Sequence, residues 1–355
     1  MQKPIVVGLL TALILIVGLP AVAQRYRITD LGTIQGSTYN WANGVNNLGH
    51  VVGCAGCSTP AFLWTPQNGM QALPSLPSGG AAYASAINDS DQIAGQSYGL
   101  GEFSDYSLAV IWSGTSTVQS LGTLPGGTQS AAYAINNLGQ VTGTSYVNSG
   151  LANHAFLWTS SAGMLDLQPS GPGSSWGYGV NSLGHVTGLF IGPKPDFTSR
   201  AFYWTDQTGM QDLGVLPGWA MSAGEAINDL DEIAGTLQGL PDGLNVSHAV
   251  LWTRGGGGTR VNDLGTLPGG FQAFATALNN VGQVVGASNT QQSFEALDHA
   301  FVWSAATGMQ DLNLLIPAGT GWLLWQANGI NDLGQITGRG TINEETHAFL
   351  LTPTQ

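Results

Sequence analysis

The sequence predicts an all-β fold: a seven-bladed β-propeller of four-stranded antiparallel blades, its ring closed by the N-terminal strand. Three observations predict it. A phrase made of an aliphatic residue and Asn, a short turn, a strand ending in Gly and an apolar strand returns seven times, with its Asn at Asn46, Asn88, Asn136, Asn181, Asn228, Asn279 and Asn331. Neighbouring copies lie 42 to 52 residues apart, the length of a blade of four short strands. The seventh copy stops after its third strand, while Tyr26 to Gly32 reads as a fourth strand with no copy ahead of it. Pairing the two ends would complete the last blade and leave no open sheet edge. A parallel β-helix is the alternative, but its coils are shorter and do not use hairpin turns.

The elements follow in order within each copy. Strand A precedes the Asn, with an aliphatic residue one position before it (Val45, Ile87, Ile135, Val180, Ile227, Leu278, Ile330). Two and four positions before it every copy has Gly or Ala, as at Ala42 and Gly44. Regular alternation places those positions on one face, stripped of side chain so that neighbouring sheets can approach. The A–B turn ends in Gly49, Gly139, Gly184, Gly282 or Gly334, or in Asp91 or Asp231, residues that tolerate a left-handed backbone. The Asn-Asp-x-Asp pieces at Asn88 and Asn228 faintly suggest calcium loops but lack the later ligands, so turn chemistry is expected. Strand B ends in Gly (Gly53 to Gly338), strand C in Trp in six copies (Trp64 to Trp303), and strand D reads Gly-Met-x-Asp-Leu or similar.

Residues 1–23 read as an export leader: Lys3, an apolar run over 5–19, and small residues at Ala21-Val22-Ala23. An uncleaved anchor is the alternative. Cleavage leaves residues 24–355 as one propeller domain, secreted or periplasmic, with no membrane span and expected as a monomer. Losing Lys3 leaves seven basic residues against 21 acidic ones, a net charge of −14. That excludes nucleic acid, whose binding needs Lys and Arg to neutralise phosphates, and disfavours anionic membranes. The cysteines, Cys54 and Cys57, are expected to form a local disulfide in an oxidising compartment. A redox pair or zinc site would need a helix N-terminus or further ligands. No metal or cofactor is expected.

The chain resembles the bacterial extracellular repeat family named for its His-Ala-Phe motif. The motif is intact at His154-Ala155-Phe156, His299-Ala300-Phe301 and His347-Ala348-Phe349, and altered at His248, Arg200, Pro60 and Leu108. The resemblance implies export and a repeat fold, and it carries no catalytic residues. Histidines at equivalent points of different blades sit around a ring, so they cannot converge on one ion.

Binding is expected on the face shared by the D–A and B–C loops. The B–C loops differ most between copies and hold Tyr98, Glu102, Phe103, Asp105, Tyr106, Lys194, Asp196, Phe197, Asp242, Phe294 and Glu295. The candidate ligand-binding residues are Trp41, Tyr83, Tyr133, Trp176, Tyr178, Trp219, Phe274 and Trp325 near the starts of strands A, together with Glu225. Trp322 lies among them. Their flat faces suit a glycan or another neutral ligand, some of them lining the channel mouth; the alternative is packing between blades. Glu225 stands on strand A where other copies carry Asn, Ser, Tyr or Thr, and so is expected to face the channel. Function thus reads as a non-catalytic exported scaffold for a glycan or protein ligand. The alternative is a secreted carbohydrate-active enzyme, a polysaccharide lyase or hydrolase, with a carboxylate pair drawn from Glu102, Asp105, Asp196 and Glu225.

Overall fold

The computed structural model describes residues 25–354 apart from 35–36, 38, 57–59, 78, 100–105, 148–151, 169–172, 193–197, 240–245, 256–257 and 292–297. The leader lies outside the described residues. Seven four-stranded antiparallel sheets form the propeller ring. Blades 1 to 6 span residues 41–72, 79–122, 130–166, 174–212, 221–265 and 273–311. Each runs A to D in sheet order, with strand A innermost.

Blade 7 takes its inner strands from Leu323–Ile330, Ile336–Ile342 and Glu345–Thr354, and its outermost from Arg25–Asp30. That strand pairs antiparallel with the C-terminal one, from Arg25 opposite Thr354 to Asp30 opposite Phe349. Tyr26, 1% exposed, sits in the core cluster of Leu312, Leu315, Leu324, Phe349 and Leu351. Its backbone N–H donates to the Leu315 carbonyl at 3.0 Å.

One expectation needs correction. Every A–B pairing shifts register between the residues four and two before the Asn, so the residue three before it has no partner. A bulge of this kind interrupts the pleat. The two small positions therefore lie on opposite faces rather than one. A Cβ on Gly177 or Gly224 would strike Thr142 or Thr187 of the preceding blade. One on Gly44 or Gly179 would meet the Cα of Ala86 or Ala226 in the following blade, at 3.2 and 3.1 Å. Both faces of strand A are thus trimmed, which the crowded centre of the ring requires.

The bulge also explains the Gly that ends the first half of every strand B. It tips the carbonyl five residues before the Asn toward that Gly. A Cβ there would lie 1.8 to 2.0 Å from the carbonyl oxygen in all seven blades. In blades 1, 4 and 6 it would also meet the Phe ring of strand C at 2.8 Å. Blades 2 and 5 carry Val110 and Val250 in place of that Phe. There Trp112 and Trp252 are fully buried, and a Cβ on Gly95 or Gly235 would meet the indole at 2.9 and 2.8 Å. The indole fills the slot that Phe fills elsewhere, so the packing survives the exchange.

The recurrent Asn does more than turn the chain. Its Oδ1 accepts from backbone N–H groups two and four residues on, as Asn46 does from Leu48 and His50 at 3.1 and 3.0 Å. Its Nδ2 donates to the carbonyl of the equivalent Asn one blade on: Asn46 to Asn88, 88 to 136, 136 to 181, 181 to 228, 228 to 279, 279 to 331 and 331 back to 46, at 2.7 to 3.2 Å. These side chains are buried. The seven bonds form a closed hoop that fixes each blade to the next, and each satisfies a donor that burial would otherwise leave unpaired.

Candidate functional site

The channel inside the ring is divided in two. The aliphatic residue before each Asn (Val45, Ile87, Ile135, Val180, Ile227, Leu278, Ile330) lines the spaces on both sides of the division. On the A–B turn side lies a polar bowl of about 180 Å³, rimmed by Asn47, Asp89, Asn137, Ser182, Asp229, Asn280 and Asp332. Most of these side chains bond one another around the rim, as Asn47 Nδ2 donates to Asp89 Oδ2 at 3.0 Å and Asn280 Nδ2 donates to Asp332 Oδ2 at 3.0 Å. On the side where strands A begin lies a cavity of about 380 Å³. The aliphatic ring is its floor.

Its wall is the unpaired bulge residue of each strand A: Asn43, Ser85, Tyr133, Tyr178, Glu225, Thr276 and Asn328. In four blades this residue repeats one structural task. It donates to the strand A carbonyl of the next blade: Asn43 to Ala84 at 2.8 Å, Ser85 to Ala132 at 2.9 Å, Thr276 to Ala327 at 2.6 Å and Asn328 to Ala42 at 2.8 Å. Blades 3, 4 and 5 carry Tyr133, Tyr178 and Glu225 at that position. The rings of Tyr133 and Tyr178 touch, with centroids 5.5 Å apart at 55°. Glu225 follows Tyr178 on the next blade, near enough for its charge to oppose ionisation of that phenol.

Among the described residues that line the cavity, Glu225 is the only charged one. Among the described residues none hydrogen-bonds its carboxylate. Solvent in the cavity reaches it, yet protein surrounds it on the remaining sides. Burial raises its carboxyl from the ordinary 4.5 to about 7. Burial also raises Tyr133 to about 12 and pushes Tyr178 higher, so both phenols stay neutral. The cavity therefore offers two tyrosine rings and one titratable carboxyl over an apolar floor.

The Glu225 shift makes a stability prediction. Below about pH 4.5 folded and unfolded chains are both protonated there, and the residue contributes nothing. Between about 4.5 and 7 only the unfolded chain ionises, so folding weakens as pH rises, by up to about 3 kcal/mol above pH 7. Glu225→Gln is thus expected to raise stability by up to that amount at about pH 8 and to change it little at about pH 4. Urea denaturation at the two pH values checks this.

The other candidates lie elsewhere. Trp41, on the first strand of blade 1, sits under the Arg339 guanidinium at 4.6 Å and against Tyr39 at 5.2 Å. Tyr83 lies near Cys54 and Asn43 of blade 1. Trp176 and Phe274 pair across to Leu189 and Ala287. Trp219 packs on His248 at 4.9 Å, and Trp325 holds its indole N–H buried with no partner. Trp322 packs against His347 and Phe349. None of these lines the cavity. Glu102, Phe103, Asp105, Lys194, Asp196, Phe197, Asp242, Phe294 and Glu295 lie outside the described residues, as does Cys57; Cys54 is buried.

The six histidines are each held by an aspartate. Those of the repeated motif pair with strand D of their own blade: His154 with Asp166, His248 with Asp263, His299 with Asp311, and His347 with Asp30, at 2.6 to 2.9 Å. Where the histidine is Pro60 or Leu108, strand D carries Ala72 or Ser120 at the matching position. Burial works to raise the Asp263 carboxyl, but bonds from His248 and the Gly265 N–H, with the His248 charge, outweigh it and lower it. Among the described residues no group of three or more His, Cys, Asp and Glu could hold a metal ion. Nor is any helix among them long and apolar enough to cross a membrane.

Solved structures share this architecture. Virginiamycin B lyase from Staphylococcus aureus matches at 11% identity over 92% of this chain and 99% of that chain, with a TM-score of 0.54. Its catalytically inactive form with quinupristin matches at 11% identity over the same shares, with a TM-score of 0.52. A streptogramin B lyase matches at 10% identity over 93% of this chain and 98% of that chain, with a TM-score of 0.51. Identities this low speak for the fold alone. No family model matches the chain, and no curated protein does.

Proposed function

We propose that this chain is an exported, non-catalytic binding propeller of the family its His-Ala-Phe repeats resemble, and that its ligand sits in the cavity walled by Tyr133, Tyr178 and Glu225. The observation that carries this reading is the broken pattern at the bulge position. All seven side chains line the cavity, but four of them also bond the next blade, while three consecutive blades carry Tyr133, Tyr178 and Glu225 there with no such bond among the described residues. A fold maintained for packing alone gains nothing by giving up three such bonds and placing a carboxyl there without a partner. Three neighbouring departures make one contiguous wall, and a cavity of about 380 Å³ falls at the small end of ligand pockets.

The near-neutral Glu225 keeps an enzyme as the second reading, since a carboxyl poised near pH 7 suits proton transfer. Glycoside hydrolysis needs a second carboxylate about 5–10 Å away. None of the other described residues lining the cavity is acidic. Binding is therefore the better-supported activity.

The test is a thermal-shift screen of the exported chain with sugars and small amines, followed by Tyr178→Leu. Binding to the folded state raises the apparent melting temperature by mass action. The reading expects a ligand whose shift disappears in the variant. Shifts indifferent to Tyr178, or turnover of a polysaccharide that Glu225→Gln abolishes, would replace it.

A further inference from the structure

We propose that the cavity takes a small organic cation, its ammonium group seated between the Glu225 carboxylate and the rings of Tyr133 and Tyr178. This rests on the binding reading above and names the ligand's chemistry.

A carboxylate taken from water needs a compensating donor or charge. Among the described residues Glu225 has none, and no lining residue is basic. The polar neighbours Asn43, Ser85, Thr276 and Asn328 already donate to backbone carbonyls. The described residues thus leave the carboxylate without a partner, a place that a bound cation would fill.

The two neighbouring tyrosines supply the rest. Touching aromatic rings beside a carboxylate make the environment in which ammonium groups bind, through attraction of the cation to the ring faces. The phenols stay protonated, so the described wall carries one negative charge and suits a single positive one. The aliphatic floor keeps bulk water from one side and suits the alkyl substituents of an organic amine over a hydrated metal ion. The chain's net charge of −13 draws cations rather than anions toward it. Arg200 and Tyr203, on a strand packed against that of Glu225, do not line the cavity.

The experiment is calorimetric titration of the exported chain at about pH 8 with choline and with its neutral isostere 3,3-dimethylbutan-1-ol. Choline is expected to bind at millimolar concentration or below, and the isostere at least about tenfold more weakly. Glu225→Gln, predicted to fold more stably than the parent, should weaken choline by at least about tenfold. Tyr178→Leu should weaken it as well, with the carboxylate still present. Equal binding of the two compounds, choline binding untouched by Glu225→Gln, or no choline binding would each overturn the proposal. A neutral sugar or the isostere binding in a Tyr178-dependent way would remove the cation and leave the binding reading standing. A chain that binds neither choline nor any sugar loses both.

Discussion

Deleting residues 25–32 is expected to destabilise the fold by more than about 5 kcal/mol, enough to abolish it in a domain of ordinary stability. The deletion strips blade 7 of its outer strand and exposes the edge of Glu345–Thr354 along its length. It also empties the site of Tyr26 in the blade 7 core and removes the Asp30 partner of His347 at 2.9 Å. Tyr26→Ala alone should cost about 3–5 kcal/mol, the usual range for an aromatic truncated in a core. Tyr26→Phe separates packing from polarity. The Tyr26 hydroxyl is buried without a partner, so its removal should be neutral or mildly stabilising. Urea denaturation orders the three variants. A deletion that leaves the midpoint unchanged would mean the ring is not clasped by this strand.

Gly188→Ala should cost at least about 3 kcal/mol for the addition of one methyl group. The new Cβ would sit 1.8 Å from the Trp176 carbonyl oxygen and 2.8 Å from the Phe202 ring. The carbonyl is held by the bulge and the ring by the core, so neither can give way cheaply. Gly209→Ala is the control. That glycine has a φ of +66° but nothing within 4 Å of a built Cβ, so only the left-handed backbone resists, at about 1 kcal/mol. A smaller loss at Gly188 than at Gly209 would contradict the account of the bulge.

The ring and its clasp were legible because repeats expose themselves by recurrence, and a lone fourth strand at one end fits a missing one at the other. The bulge was not. Regular alternation puts the residues five and three before each Asn on one face, so Trp41, Trp176 and Phe274 looked equivalent to Tyr133 and Tyr178. One inserted residue sends the second set into the channel and keeps the first between strands. Glu225 departs from the residues of the other copies at the position that lines the cavity.

The joints between blades left a readable trace that comparison of single copies misses. Wherever the residue four after the Asn is histidine, at His50 and His185, the next copy ends its turn in Asp91 or Asp231. The pairs meet at 2.8 and 2.7 Å, and both aspartates adopt a positive φ. Wherever that residue is Gln or Glu, the next copy has Gly. The longer side chain occupies the space beside it, as Gln92 Oε1 would lie 3.1 Å from a Cβ on Gly139. Aspartate in those turns reflects a partner from the preceding blade as much as tolerance of a left-handed backbone. The hoop of Asn bonds, by contrast, joins identical residues and leaves no such covariation to read.

Among the described residues Glu225 has no charged or hydrogen-bonding partner, and protein surrounds its carboxyl on every side but the cavity. A carbon-detected NMR titration of that carboxyl reads this burial. A midpoint near 7 is expected in the ligand-free chain, and one near 4.5, that of a freely solvated glutamate, would mean the carboxyl is not buried.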